Sequence, residues 1–288
     1  MIQERELAPS AQPVSVLDRI SRIVAAFDAA TPSLCLNELT DRCGLPKSTV
    51  HRVAEQLLEG GWLERTPLGY RLGTRFYEVG SLVAARTPVK ERALPWLHDL
   101  QAASGHTVHL GVLEGDDVLV IDKVWGHRAP SLPSRIGGRL PVHCTALGKS
   151  LLGFSGADVQ QRVLRAPMER FTGRTTTAPY ILEQQLVTAR TTHWTLDDEE
   201  HAVGVRCVAA PIRGAGRAIA AVSVSGPAHT LDISQCVPLV RRCAADIWSQ
   251  LFRREQPPGD HDGADDTTGP WDVEKWRRWL DGVAGEWM

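Results

Sequence analysis

The sequence predicts an α+β protein of two domains: a small helical domain with one β-hairpin, and a larger domain of strands enclosed by helices. Three observations support this prediction. The length of 288 residues is typical of about two domains. Residues 14–75 carry apolar residues at helical spacing and end in a single hairpin pattern. Residues 96–253 contain two long hairpin patterns with helices before, between and after them, an order typical of α+β domains.

Composition and residue spacing narrow the possible functions. Hydrophobic residues make up 43% of the chain, yet no stretch approaches the roughly 18 apolar residues of a membrane span. The N-terminus lacks the basic-then-apolar order of a signal peptide, so we expect a cytoplasmic protein. The six cysteines and ten histidines show no zinc-type spacing, and neither a metal nor another cofactor is expected. A net charge of −2 gives no indication of nucleic acid, so DNA binding has to be inferred from motifs.

The first helix is predicted over residues 14–28. Apolar residues such as Val16, Ile20 and Ile23 recur there at helical spacing. Pro32 follows as the signal that ends the helix.

The segment LNELTDRCGLPKSTVHRVAEQLLEGG, which starts at Leu36, has the pattern of two short helices that meet at a glycine turn. The turn is at Gly44, and the second helix is predicted over Lys47–Glu59 with its apolar residues on one face. The opposite face carries short or planar hydrogen-bonding side chains, unlike the long side chains of an ordinary soluble surface: Ser48, His51, Arg52 and Glu55. The WLERTPLGYRL run that follows has the strand, turn and strand pattern of a small hairpin.

This stretch resembles a winged helix-turn-helix, in which the second helix enters the major groove of DNA and the hairpin forms the wing. A three-helix bundle with a hairpin is the alternative without DNA binding. The hairpin and the polar helix face occur together, which favours the DNA-binding interpretation. The residues predicted to contact double-stranded DNA lie on the second helix and the wing: Lys47, Ser48, Thr49, His51, Arg52, Arg65 and Arg71.

A helical pattern runs from Thr74 to about Ser104 and is interrupted by prolines. We predict a linker helix in residues 76–95 and then the first helix of the second domain, with Pro95 at a helix start or kink. Two hairpins are predicted farther on, one about Gly115 and one about Gly214 and Gly216. Helices are predicted near residues 157–165, 180–191 and 233–253.

The run RLPVHCTALGKSLLGF ends in Gly148-Lys149-Ser150, the letters that close a phosphate-binding P-loop. The P-loop pattern also needs a glycine five residues before Gly148, so that backbone amides can surround the phosphate, and His143 stands there. The pattern therefore fails. The run instead predicts a strand, a polar turn and a helix that begins near Thr145.

Five blocks of sequence, in this order and spacing, resemble the IclR family of bacterial transcription regulators: LTDRCGLPKSTVHR, GYRLG, GGRLPVHCTALGKSLL, LDDEEHAVGVRCVAAPI and AAVSVSGP. The resemblance covers roughly residues 14–252. It implies an N-terminal winged helix-turn-helix, a linker helix and a GAF-like C-terminal domain that binds a small organic effector. It also implies an operator in double-stranded DNA and assembly as a homodimer or a dimer of dimers.

The resemblance further implies an effector site, lined in part by the turn before Gly148. The implied effector-binding residues are Leu140, Ala146, Leu147, Asp197, Cys207, Ser223 and Ser225. Amides at a helix start can hold a carboxylate, and hydroxyls two residues apart on a strand point the same way, so we expect a small organic acid. Two positions depart from the family pattern: His193, where glycine is usual, and Arg213, where an aromatic residue or histidine is usual.

Three functions from different classes are compatible with these features. The prediction is a DNA-binding regulator controlled by an effector, without enzymatic activity. The first alternative is a small-acid hydrolase that uses Asp197, Cys207 or His143, with the winged helix as an interaction module. A catalytic cysteine needs a base in reach, and the neighbours His143 and Cys144 would point apart on a strand. The second alternative is a constitutive DNA-binding protein with an empty sensor domain.

Residues 254–288 fall outside the resemblance. Their first part, rich in Pro, Gly and Asp, is typical of a disordered linker. In the WDVEKWRRWLDGVAGEWM run that follows, apolar residues form one stripe on a predicted short helix: Trp276, Trp279, Leu280 and Val283. Docking of this helix on a folded domain and a fraying tail are both open.

Overall fold

The structure is a computed structural model that describes residues 15–28, 30–84, 88–126 and 134–252. All of them belong to the first of two units, which ends at Phe252. In these residues the helices are α1 (Val16–Ala25), α2 (Leu36–Cys43), α3 (Lys47–Glu59), α4 (Arg75–Ala84), α5 (Pro88–Ser104), α6 (Ala146–Gly153), α7 (Ala157–Arg165), α8 (Pro179–Thr192) and α9 (Ile233–Phe252). The strands are β1 (Ser33–Leu34), β2 (Leu63–Thr66), β3 (Gly69–Leu72), β4 (Thr107–Glu114), β5 (Asp117–Val124), β6 (Arg139–Pro141), β7 (Thr195–Asp198), β8 (Val205–Gly214) and β9 (Arg217–Pro227).

The N-terminal part is a winged helix-turn-helix. Helices α1, α2 and α3 pack around a core that includes Ile23, Leu39 and Val50, and β1, β3 and β2 form a three-stranded antiparallel sheet beside them. The turn between α2 and α3 passes through Gly44 at a φ of 64°, a left-handed conformation that glycine adopts without steric cost. The predicted bounds of α3 are confirmed.

The C-terminal part is a six-stranded antiparallel sheet between two layers of helices. The strand order is β6-β5-β4-β9-β8-β7, so the two predicted hairpins lie side by side in the centre. Helices α5 and α9 contribute Leu97 and Ile247 to the core on one face. Helices α6 and α8 contribute Leu151 and Leu186 to the core on the other face.

Two predicted boundaries are wrong. Helix α1 ends at Ala25 and not near Asp28, because the carbonyl of Ala26 and the carboxylate of Asp28 accept hydrogen bonds from Arg42 at 3.0 and 2.8 Å. Of the two alternatives predicted for Pro95, the helix start is wrong, because Pro95 lies inside α5, which begins at Pro88, and the kink stays a prediction. The buried residues after it hold the helix in place by packing.

The tryptophan-containing tail, with its predicted linker and short helix, lies outside the described residues. Within them, no helix has both the length and the hydropathy that a bilayer-spanning helix needs. The same residues contain no group of three or more His, Cys, Asp and Glu side chains arranged as a metal site.

Candidate DNA-binding and effector sites

Helix α3 presents the predicted DNA-contacting residues on its open side. Lys47, Ser48, His51 and Arg52 are exposed and Thr49 is half-buried, while the apolar face packs inward. Pro46 precedes the helix and no side chain caps it, so its first amides are open to an acceptor. A helix start with open amides and nearby cations suits a DNA phosphate.

The two predicted wing arginines are already ion-paired in the free protein. Arg65 pairs with Glu55 of α3 and lies over the Tyr70 ring. Arg71 pairs with Glu64 across the β2–β3 ladder, with its Nε and Nη2 atoms 2.8 and 2.6 Å from one carboxylate oxygen. A DNA phosphate would have to share these guanidinium groups with the glutamates.

The seven predicted effector-binding residues converge on one cavity, which lies between the six-stranded sheet and the start of α6. Its volume is about 40 Å³, room for about three water molecules. The seven are contributed by four strands and one helix: Leu140 (β6), Ala146 and Leu147 (α6), Asp197 (β7), Cys207 (β8), and Ser223 and Ser225 (β9).

Strand register explains why residues so distant in sequence meet. Asp197 is paired with Cys207, and Cys207 is paired with Ser225, so these three form one cross-strand row. Ser223 belongs to the next row and is paired with His109. Residues two apart on a strand share a face, and both rows therefore face α6.

The start of α6 depends on Thr145 and Gly148. Thr145 caps the helix, because its hydroxyl oxygen accepts the Gly148 amide hydrogen at 3.1 Å. A Cβ at Gly148 would lie 2.3 Å from the Val142 Cα, so only glycine lets the turn fold against the helix. The amides of Ala146 and Leu147 have no intrahelical acceptor, and both residues line the cavity.

The three letters that resemble a P-loop therefore have packing roles. Lys149 is buried and forms an ion pair at 2.5 Å with Glu200, which is also buried. Ser150 is fully buried. The Lys149 ammonium is thus occupied by a carboxylate instead of a phosphate.

Burial controls the ionisation of Asp197. It raises the pKa of this carboxyl to about 7, against the opposing effect of a hydrogen bond from the Glu200 amide. The Asp197 Oδ1 atom accepts that amide hydrogen at 2.8 Å and the His201 amide hydrogen at 3.3 Å. Protonated and ionised forms are both present near neutral pH, and the protonated form does not repel a bound anion.

The cysteines do not have the features of nucleophiles. Burial raises the pKa of the Cys207 and Cys144 thiols, so the reactive thiolate is disfavoured. His143 and Cys144 lie in the turn after β6, and not on a strand as predicted. The His143 Nε2 atom is 2.9 Å from the Glu169 carbonyl oxygen, so this ring nitrogen already has a backbone partner.

Several cavity residues were missed in the sequence: His109, Ser134, Thr145, His201, Ala202 and Val205. The hairpin pattern showed that His109 lies on a strand, but not that β9 would be its neighbour. Burial, together with the charge of Lys123, lowers the pKa of His109 to about 3. His109 is therefore neutral, with one ring nitrogen that donates and one that accepts.

The two departures from the family pattern lie away from the cavity. His193 ends α8 at a φ of 60°, a left-handed conformation that explains why glycine is usual there. The Arg213 guanidinium stacks over the Phe154 ring at 4.9 Å. Neither residue lines the cavity.

Two family models match the chain. The IclR helix-turn-helix domain matches residues 16–67, and the bacterial transcriptional regulator IclR C-terminal domain matches residues 81–249. The chain is 34% identical over 223 residues to the HTH-type transcriptional regulator XynR of Escherichia coli, covering 76% of this chain and 88% of XynR. It is 32% identical over 226 residues to the transcriptional repressor IclR of Escherichia coli, covering 76% and 82% of the two chains.

Solved structures agree with these matches. An IclR homolog from Microbacterium hydrocarbonoxydans, complexed with 4-hydroxybenzoate, superposes with a TM-score of 0.75 at 32% identity, covering 82% of this chain and 99% of the other. The Thermotoga maritima IclR superposes with a TM-score of 0.67 at 27% identity, covering 82% and 96%. The chain belongs to the IclR family and is a DNA-binding transcription regulator with a C-terminal effector-binding domain.

Proposed function

We propose that this protein binds its operator as a symmetric dimer through α3 and the wing, and that a small organic acid in the cavity controls this binding without being converted. One observation carries the effector half of the proposal. Side chains from five strands and the start of α6 meet in one cavity that combines hydroxyl groups, a carboxyl group and open helix amides.

The DNA half rests on the surface of α3. Arg52 and Lys47 are exposed, and neither has an ion-pair partner among the described residues. Arginine and lysine at such positions donate to guanine edges and to phosphates in the major groove. Ser48, Thr49 and His51 lie on the same helix, and Arg65 and Arg71 extend the contact to the wing.

A dimer is proposed because one winged helix covers too little DNA for specificity in a genome. Two copies related by a twofold axis read two half-sites. Large apolar side chains near the DNA-binding domain support an interface. Tyr77 and Leu82 on α4 are 81% and 65% exposed, and Leu17 on α1 is 73% exposed.

The acid fits the chemistry of the cavity. A carboxylate is stabilised by the amides of Ala146 and Leu147 and by the helix dipole. Ser223 and Ser225 are buried and supply hydroxyl groups, while Asp197 accepts a hydrogen bond from a ligand hydroxyl. Acids of two or three carbons fit the cavity as it stands, and an aromatic acid requires it to widen.

The test combines DNA binding with a panel of acids. The full-length protein is titrated onto promoter fragments from its own gene neighbourhood in a mobility-shift assay, with acetate, lactate, pyruvate, benzoate or 4-hydroxybenzoate added. We expect one of these acids to change operator affinity, and the Ser223→Ala, Ser225→Ala double variant to lose the response. Operator binding that no acid changes would favour the constitutive DNA-binding alternative. Consumption of an acid by the protein would favour the hydrolase.

A further inference from the structure

A buried cation, Lys123, lies behind one wall of the cavity, and the family resemblance gives it no role in effector binding. His109 on β4 and Ser134, just before β6, line the cavity, and Lys123 on β5 lies behind them. We refer to these three residues as the lysine cluster. His109 and Lys123 are cross-strand partners, so both side chains lie on the cavity face of the sheet.

Lys123 is buried among neutral groups. Its ammonium donates to the Ser134 carbonyl oxygen at 2.7 Å and to the Ser134 hydroxyl oxygen at 3.0 Å, and it lies 3.6 Å from the centre of the Trp125 ring. The neighbouring Asp122 points to the other face of the sheet, toward Lys90 of α5 at 3.9 Å. Among the described residues, no carboxylate forms a salt bridge with Lys123. Burial also lowers the pKa of its ammonium, which shows that the charge is poorly compensated.

The hydrogen bonds of the cluster have a direction. An ammonium can only donate, so the Ser134 hydroxyl oxygen accepts from Lys123. This hydroxyl can then donate to the His109 Nε2 atom at 2.8 Å, and the His109 Nδ1–H group faces the Ser225 hydroxyl oxygen at 3.4 Å. The chain of donors therefore runs along the cavity wall from a cation to a hydroxyl group: Lys123, Ser134, His109 and Ser225.

The charges around the cavity leave Lys123 without a counter-charge. Lys149 is neutralised by Glu200. Burial lowers the pKa of His201 as well as that of His109, so neither ring adds a cation. When Asp197 holds its proton, the described residues around the cavity carry one net positive charge, which a single carboxylate would balance.

We propose that Lys123 supplies the counter-charge for the effector's carboxylate, acting as a positioning residue through Ser134 and His109, so that the cavity selects a monoanion over a neutral molecule of the same shape. This inference rests on the proposed function. Lys123 does not line the cavity. Its charge acts across the serine and histidine, and at an effective dielectric constant of about 20 a charge about 10 Å away changes affinity by about tenfold or more.

The experiment compares acids with their amides, which have the same shape and no charge. Binding of lactate and lactamide, and of 4-hydroxybenzoate and 4-hydroxybenzamide, is measured by calorimetry on the full-length protein. We expect the wild-type protein to prefer the acid of at least one pair by about tenfold or more. Lys123→Met should remove the preference by weakening acid binding only, and Lys123→Arg should retain it.

Lys90→Met is the matched control, because it removes a lysine of α5, the helix that packs on the opposite face of the sheet. This variant should keep the preference. Ser134→Ala interrupts the chain without removing the charge, and it should reduce the preference even if Lys123→Met does not fold. As an independent readout, ¹⁵N NMR should show His109 with its proton on Nδ1 in the wild-type protein, and a shifted tautomer balance in Ser134→Ala.

The possible outcomes separate this inference from the proposed function. If the wild-type protein binds neither acid, the proposed function is wrong for these two acids. The proposed role of Lys123 is then wrong as well, because it depends on an acid being bound. If an acid binds and Lys123→Met keeps the full preference over the amide, only the Lys123 inference is wrong. Equal weakening of acid and amide binding would show that Lys123 serves packing alone.

Discussion

The two halves of the molecule use polar side chains in opposite ways. In the winged helix they are displayed at the surface, where Arg52 is exposed and the Arg71–Glu64 pair is open to solvent, with side chains 57% and 31% accessible. In the effector domain they are enclosed, and the Lys149–Glu200 pair is 3% and 10% accessible. Exposed groups remain available for a charged partner and contribute little to folding. Buried groups depend on one another, so each one affects both stability and the chemistry of the cavity.

The largest effect should come from breaking the buried pair. Lys149→Met leaves the Glu200 carboxylate enclosed without a cation, and we expect the free energy of unfolding to fall by about 3–5 kcal/mol. Denaturant unfolding measures this loss. Adding Glu200→Gln to the same chain should restore part of the stability, because the uncompensated charge is gone. If the free energy of unfolding fell no more than it does for a surface substitution, buried and exposed ion pairs would not differ in their effect on stability.

The next effect concerns the pH dependence of stability. Burial raises the pKa of the Asp197 carboxyl to about 7 in the folded protein, against an ordinary value of 3.8. Between pH 5 and pH 7 the folded protein keeps this proton and the unfolded chain has released it, so stability falls as pH rises. The fall should be about 2 kcal/mol over this interval.

Asp197→Asn provides the control for this profile, because its amide oxygen still accepts from the Glu200 and His201 amides but cannot ionise. Unfolding measured from pH 5 to pH 8 should show a flatter curve for the variant. Parallel curves would mean that Asp197 is ionised throughout the range, and that its enclosure is less complete than the structure indicates.

The third prediction tests the exposed side of the comparison. Arg52→Ala should weaken specific operator binding by about 1–3 kcal/mol and leave the melting temperature unchanged. Arg162→Ala, which removes an exposed arginine from α7 in the other domain, is the control and should leave operator affinity unchanged. If a mobility-shift titration shows equal affinities for wild type and Arg52→Ala, α3 does not read the operator.

The smallest effect on folding is expected at the wing. Arg71→Met breaks an exposed pair, and the melting temperature should not change measurably. If the wing contacts phosphate, the salt dependence of operator binding should become shallower by about one counterion. An unchanged salt dependence would place Arg71 outside the DNA contact and leave its pairing with Glu64 as its only interaction.

Features that depend on local sequence could be predicted, and features that depend on distant parts of the chain could not. The bounds of α3 were correct because a helix of 13 residues has a local apolar pattern, with a glycine turn before it. The seven cavity residues were named from a family resemblance, and the structure brings them together. His109, Ser134 and Lys123 could not be found from local pattern, because their proximity depends on the pairing of β4 with β9 and β5. The end of α1 was missed for a similar reason, since it depends on Arg42 from another helix.

The close approach at Gly148 has a consequence for how ligand preference can change during evolution. The glycine and the Thr145 cap keep the helix start in place: a side chain at position 148 would force the turn to move, and loss of the Thr145 hydroxyl would remove the cap. Ala146 and Leu147 project into the cavity from the same turn and are not needed for that anchoring. Exchange of these two side chains offers a route to new effectors, at a cost in folding stability because both belong to the buried core on this face of the sheet. A library varied at positions 146 and 147, with Gly148 and Thr145 held constant, is therefore the natural starting point for building a biosensor from this protein.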